Sequence, residues 1–438
     1  MMKTFSQKLK RQTAASTLMV LLWTSGCAGN GVGGEYLAQS AEFLQPPIRP
    51  VIILSGFGHA KLFDPRTGRF VWGTLHATLQ TRFADNLDLS IDPDTMQVQP
   101  DRLVPRGFVG FRSPLNFAWR LGHALEKYAG YSMATLEPPD QQPPRMLYRF
   151  AYDWRLGALH NARKLDAFID SVRRAHANPS LQVDLVGHSL GGFIALTYLK
   201  LGTASIDAPS TWEQGSTTAA SKVRTLIVMA APQQGAADAF RVMVRSERFV
   251  MRVLPPEWNA VFPALTEMLP TDGRILIDEN GRAIDADLWD IRSWQRLQLS
   301  IFSPQIRQRV ESRKGGPRYE DLTTAFEKEL TNAYRLRQAL RRALPSGVNV
   351  TTIASDCIPT TRRILRRNDG SYAFYQVELA AAEQHLSPIL FEPGDGSVTL
   401  TSASAGKPES STVFCEGHQG MVLQPNVHRA IIRALQAR

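Results

Sequence analysis

The 438-residue sequence contains only three cysteines, at positions 27, 357 and 415, too few for a disulfide-dense scaffold. It also lacks a comfortable membrane span: "TAASTLMVLLW" (13–23) falls short of the roughly 20 apolar residues a helix needs to cross a bilayer. No internal repeat is evident. No Lys/Arg stripe interleaves with aromatics and no nucleic-acid-binding motif occurs, so nucleic acid is not an expected partner. The net charge of +10 is carried mainly by scattered arginine. Such a balance favours an anionic membrane surface, or is an arginine-rich habit with no partner behind it. No His/Cys/Asp cluster has metal-ligand spacing, so neither a metal nor an organic cofactor is expected. What is present, 43% hydrophobic and 21% charged residues, describes a folded protein with a large core. The length suggests two or three domains, although α/β folds often reach it by insertion.

The first residues read as an export signal rather than as part of the fold. "MMKTFSQKLKRQ" is basic, the short apolar stretch follows, and "TSGC" (24–27) places small residues before Cys27. This resembles a bacterial lipobox with Cys27 as the lipidated residue, except that Thr24 stands where leucine is usual. A plain cleaved signal peptide is the alternative. Ala28 after the cysteine resembles the pattern of outer-membrane lipoproteins. The expected location is thus an outer-membrane anchor, or else the periplasm or the medium. Residues 28–48 read as a flexible tether. The remaining Cys357 and Cys415 suggest one disulfide in an exported protein, or two free buried thiols.

From residue 49 onward the pattern is α/β. "PVIILSGFGH" (50–59) is a continuous apolar run ending in glycines, as a buried parallel strand requires. "RMLYRFAYDWRLG", "LQVDLVGHS", "VRTLIVMAAP", "VNVTTIASDC" and "STVFCEGH" supply further strands. "ARKLDAFIDSVRRAHA" and "GGFIALTYLKLG" have helical spacing, the second closed by Gly202. Strands alternating with helices predict a mostly parallel sheet, here in two pieces, 49–232 and 346–438. Residues 233–345 break the rhythm and read as an inserted cap. Residues 59–144 form a second excursion rich in Pro, Gly and aromatics.

Within "VDLVGHSLGGFI" (183–194), Gly187-His188-Ser189-Leu190-Gly191 fits G-x-S-x-G between a strand and a helix. That context lifts a serine hydroxyl above the sheet edge as a nucleophile. A serine hydroxyl needs a histidine to take its proton, and the histidine needs an acid to fix its tautomer. Both are expected downstream. Asp395, in a Gly-flanked loop, is the leading acid over Asp356 and Glu392. His418, in a Gly-rich loop before the last helix, is the leading base over His385 and His428. His188 is expected to point away and support the turn. Two backbone N–H groups are needed for the oxyanion: Leu190, next to the serine, and a residue of "SGFGH", for which Phe57 is the best position.

The ordered set "PVIILSGFG", "AYDWR", "GHSLGG", "FPALTEMLP", "GDGSV" and "GH…PNV" resembles the lecithin:cholesterol acyltransferase family, from about residue 50 to the end. The resemblance implies an α/β-hydrolase fold with a mobile lid around 233–260. It implies a triad of Ser189, Asp395 and His418, with Phe57 and Leu190 at the oxyanion hole. It also implies a structural role for Asp153 and Arg155, and a disulfide like Cys357–Cys415. The 59–115 segment departs from the mammalian members, whose membrane-binding element carries its own disulfide, because it has no cysteine here. The expected activity is acyl-ester hydrolysis or O-acyl transfer on lipids. An esterase for non-phospholipid esters and a non-catalytic lipid-binding protein are the alternatives.

Overall fold

Seven strands make the central sheet: Val51–Leu54 (β1), Ser132–Met133 (β2), Met146–Phe150 (β3), Val183–His188 (β4), Val223–Met229 (β5), Asn349–Ser355 (β6) and Ser411–Phe414 (β7). The computed structural model describes residues 49–80, 83–110, 117–134, 145–249, 252–313 and 316–436. The sheet order is β7-β6-β5-β4-β1-β3-β2. Every neighbouring pair is parallel. β1 and β4 are buried along their whole length. A strand covered on both faces has no solvent side, which is why their sequences run apolar without alternation.

The main helices are Phe117–Ala129 (α1), Ala158–Ala175 (α2), Leu190–Leu201 (α3), Trp212–Lys222 (α4), Ala237–Val244 (α5), Tyr319–Ala339 (α6) and Pro425–Gln436 (α7). α2 packs on α3 and α3 on α4, while α7 packs on α1 and β5. α2 buries Leu165, Ile169 and Val172, a stripe set by helical spacing. Its N-cap, Gly157, has no side chain to cap with. The buried Glu267 takes over, its Oε2 accepting the Ala158 N–H at 2.6 Å. A carboxyl oxygen there also complements the positive end of the helix. α3 stops at Gly202, whose φ of 60° suits glycine as a helix terminator.

Parallel pairing sets the carboxyl ends of β1, β4 and β5 side by side: Leu54 lies opposite Gly187, and Gly187 opposite Val228. In open α/β sheets this rim is where sites collect. The insertion between β5 and β6 is packed onto the sheet, since its buried Phe240, Phe262, Trp294 and Phe326 share one hydrophobic cluster with β1, β4 and β5. The excursion after β1 folds into a small antiparallel sheet of Ala60–Asp64, Arg69–Trp72 and Val104–Phe108. Leu62 and Trp72 anchor it in the same cluster. No helix among the described residues is long and apolar enough to cross a membrane. The leader, Cys27 and the tether lie outside the described residues.

Candidate active site

β4 ends at His188 and α3 begins at Leu190, so one residue makes the whole reversal. That residue is Ser189, with φ 55° and ψ −126°. A non-glycine residue held in so sparsely populated a region costs about 1–3 kcal/mol. The surrounding backbones are too close for side chains. A Cβ at Gly187 would lie 2.6 Å from Gly192 Cα, one at Gly191 2.4 Å from Leu54 O, and one at Gly192 2.9 Å from Ala231 Cβ. The Ser189 N–H donates to Met229 O at 2.9 Å, tying the elbow to β5.

Two distant loops meet the hydroxyl. His418 Nε2 lies 3.0 Å from Ser189 Oγ, and His418 Nδ1 lies 2.7 Å from Asp395 Oδ2. With Nδ1–H donating to the carboxylate, Nε2 is left to accept from the serine. Asp395 is buried, and its Oδ1 accepts the Ser397 and Val398 N–H groups at 2.9 and 2.7 Å. The His418 N–H also donates to Asp395 O at 2.8 Å, so the two loops are joined by main chain as well as side chain. Burial of His418 opposes its protonation. The charge and hydrogen bond of Asp395 outweigh this and, with the charge of Asp238, raise its pKa above the ordinary histidine value.

The competing residues do other things. Asp356 is exposed, and Glu392 sits 3.7 Å from Arg362. His385 Nδ1 bonds to Ala382 O, and the buried His428 donates to Val422 O at 2.9 Å. His188 does not turn away as expected. Its buried ring lies with its centroid 4.9 Å from that of His418, and its Nε2 is 3.1 Å from the His418 carbonyl oxygen.

Leu190 is the first residue of α3, so its N–H has no acceptor within the helix. Phe57 follows Gly56, which lies against Ser189: a Cβ there would sit 3.0 Å from Ser189 Cβ and 3.4 Å from Oγ. The loop carrying Phe57 is clamped from both sides by two residues of the "AYDWR" stretch to which the sequence assigned no role. Tyr152 O–H donates to Ser55 O, and Trp154 Nε1–H donates to Ala60 O at 3.1 Å. The Phe57 and Trp154 rings meet edge to face at 4.6 Å.

Alternating with those two clamps along the chain, Asp153 and Arg155 are buried in the protein. The fully buried Arg155 is 2.6 Å from Asp153 and 2.8 Å from Asp101, and it donates to Leu87 O at 2.9 Å. Burial works against its charge, but the two carboxylates more than offset this and hold its pKa above the usual value. Asp101 was not foreseen. It lies 54 positions from Arg155 in an aperiodic stretch, where nothing marks one aspartate over its neighbours.

Cys357 and Cys415 form a disulfide with Cα atoms 5.1 Å apart, joining the segments just past β6 and β7. It closes a loop of 58 residues that includes Asp395. Loop-closure entropy then predicts that replacing both cysteines with serine lowers unfolding stability by about 4 kcal/mol. Urea denaturation of the two forms measures the difference. No group of three or more His, Cys, Asp or Glu among the described residues is placed to hold a metal ion.

The family model for lecithin:cholesterol acyltransferase matches residues 71–408. That span includes Ser189 and Asp395, while Phe57 and His418 lie outside it. No curated protein matches the chain by sequence. Among solved structures, a chain of the Tle4–Tli4 complex is similar with a TM-score of 0.53 and 13% identity, over 89% of this chain and 98% of that one. The mature lipase BlEst2 of Bacillus licheniformis aligns with a TM-score of 0.33 and 11% identity, over 89% of this chain and 92% of that one. The first likeness bears on the fold alone. Because the family model spans well over half of the sequence and the sheet has the expected parallel build, the chain is an α/β-hydrolase belonging to the lecithin:cholesterol acyltransferase family, a group of lipid acyl-ester hydrolases and acyltransferases.

Proposed function

We propose that this protein moves acyl groups from lipid esters to water or an alcohol through an acyl-enzyme on Ser189. The observation that carries this reading is the unbroken hydrogen-bond path from Ser189 Oγ through His418 to Asp395, at 3.0 and 2.7 Å. Ser189 Oγ attacks the ester carbonyl carbon while its proton passes to His418 Nε2. The resulting oxyanion is met by the Leu190 and Phe57 N–H groups, the positions at the helix start and beside Gly56. The ester C–O bond then breaks, and the departing alkoxide takes the proton back from His418. Water or an alcohol repeats the sequence in reverse and frees the serine. Asp395 keeps Nδ1 protonated and stabilises the imidazolium without itself taking the proton.

A lipid substrate is supported by family membership and by the covering insertion, whose α5 touches the acid loop: Ser397 O–H donates to Asp238 at 2.8 Å. The lid proposed for 233–260 therefore starts beside the triad acid. The test is incubation with phosphatidylcholine vesicles with and without a sterol, alongside a fluorophosphonate probe. Ser189 is expected to carry the probe, and lysolipid is expected with either free fatty acid or sterol ester. Turnover of short-chain esters with inert phospholipid would favour a non-phospholipid esterase. An unlabelled Ser189 with no ester cleavage would overturn the reading.

A further inference from the structure

The histidine before the nucleophile has no place in the mechanism above, yet it is fully buried at the junction of the three segments that make the site. We infer that His188 is a positioning residue: as a neutral imidazole, its Nε2–H holds the main chain of His418 and so fixes the reach of His418 Nε2 to Ser189. This inference rests on the proposed triad.

The geometry is specific. His188 is the last residue of β4, so its backbone is as rigid as the sheet and is bonded directly to the nucleophile. From there its Nε2 reaches the carbonyl of His418 at 3.1 Å, across 230 positions of sequence. A Cβ at Gly56 would lie 3.5 Å from its Nδ1, so the ring also fills the space under the loop that carries Phe57. One side chain thus touches the elbow, the base loop and the oxyanion loop. The His418 main chain is held on two sides, its N–H by Asp395 O and its C=O by His188. Only the first tie leads to the acid. The second gauges His418 against Ser189.

Neutrality is part of the role. The ionisable groups facing His188 are His418 and His59, and those facing His418 are Asp395, Asp238, His188 and His59. A charged His188 would repel the imidazolium that forms on His418 during attack. Burial, with His418 and His59 adding in the same direction, pushes the His188 pKa well below the usual histidine value. The Nε2–H donor is therefore kept without a second positive charge beside the base.

The experiment compares His188→Leu, His188→Gln and His188→Asn with the parent, using a soluble short-chain ester. Glutamine places an amide N–H near the site of Nε2, whereas asparagine is too short. A misplacement of about 1 Å at a reacting group can cost 10²-fold. His188→Leu and His188→Asn are accordingly expected to lower kcat by about 10- to 100-fold, with KM changed less than about 3-fold. Their acid limb of kcat/KM should move to lower pH, because a displaced His418 loses part of its bond to Asp395. His188→Gln is expected to recover kcat to within about 3-fold of the parent and to restore the limb. Parent-like kcat in folded His188→Leu, or equal loss in the glutamine and asparagine variants, would overturn the inference. If the leucine variant fails to fold, the comparison of glutamine with asparagine still decides. Failure of the triad itself would show separately, as an unlabelled Ser189 in the parent.

Discussion

Asp395→Asn is expected to lower kcat for ester cleavage by about 10³- to 10⁴-fold while leaving KM nearly unchanged. The local hydrogen bonds explain why so small a change is so damaging. Oδ1 already accepts two main-chain N–H groups, from Ser397 and Val398. An asparagine must therefore turn its amide oxygen toward them and its NH2 toward His418. An NH2 facing Nδ1 forces that nitrogen to be an acceptor. The ring proton then sits on Nε2, aimed at Ser189, and the base can no longer take a proton from the serine. The pH profile carries a second signature. On the proposed mechanism His418 must be unprotonated to act, so activity in the parent is expected to be lost as pH falls through its raised pKa. Removing the carboxylate charge lowers that pKa, and the acid limb of the residual activity moves to lower pH. A stopped assay from pH 4 to 9 on both proteins reads rate and limb together. Parent-like turnover by the variant would remove Asp395 from the mechanism.

Arg155→Met is expected to cost about 3–5 kcal/mol of unfolding free energy, the largest single-site loss anticipated here. Methionine fills much of the volume but leaves Asp153 and Asp101, 7% and 5% exposed, facing one another without a cation. The hydrogen bond to Leu87 O is lost as well. Activity should fall with stability, because Tyr152 and Trp154 on either side of the aspartate clamp the Phe57 loop. Urea unfolding of the oxidised protein measures the loss. Arg292→Ala, which removes an exposed pair with Asp290, serves as the control that should leave the midpoint in place. An Arg155→Met midpoint equal to the parent's would show that the buried trio contributes no net stability.

The contrast between these sites shows what the sequence could and could not disclose. Ser189 was legible because its requirements are local: a run of Val and Leu, a tight turn and the start of an apolar helix occupy the twelve residues 183–194. The outline of the sheet was legible for the same reason, since strands buried on both faces keep an unbroken apolar composition. Asp395 and His418 could be proposed from chain order and Gly-rich loops, and the structure brings both to the serine. Other features depend on contacts that leave no periodic trace. β2 is only two residues long, and its pairing with β3 is set by the sheet edge. Asp101 acquires meaning only once Arg155 is buried beside it. The direction of His188 follows from the strand register and the close pass of Gly56, neither of which has a signature in the residue types. The tie between Asp238 and Ser397 spans 159 positions and was equally hidden.

The order in which the parts occur along the chain has a biosynthetic consequence. The elbow is complete once β5 lies beside β4, since the Ser189 N–H needs only Met229. The base belongs to the closing segment, after β7 at the border of the sheet. On the proposed chemistry, a nascent polypeptide still short of His418 is harmless to the lipids around the ribosome. On that chemistry, ester-cleaving power arrives only once the chain has been made as far as His418.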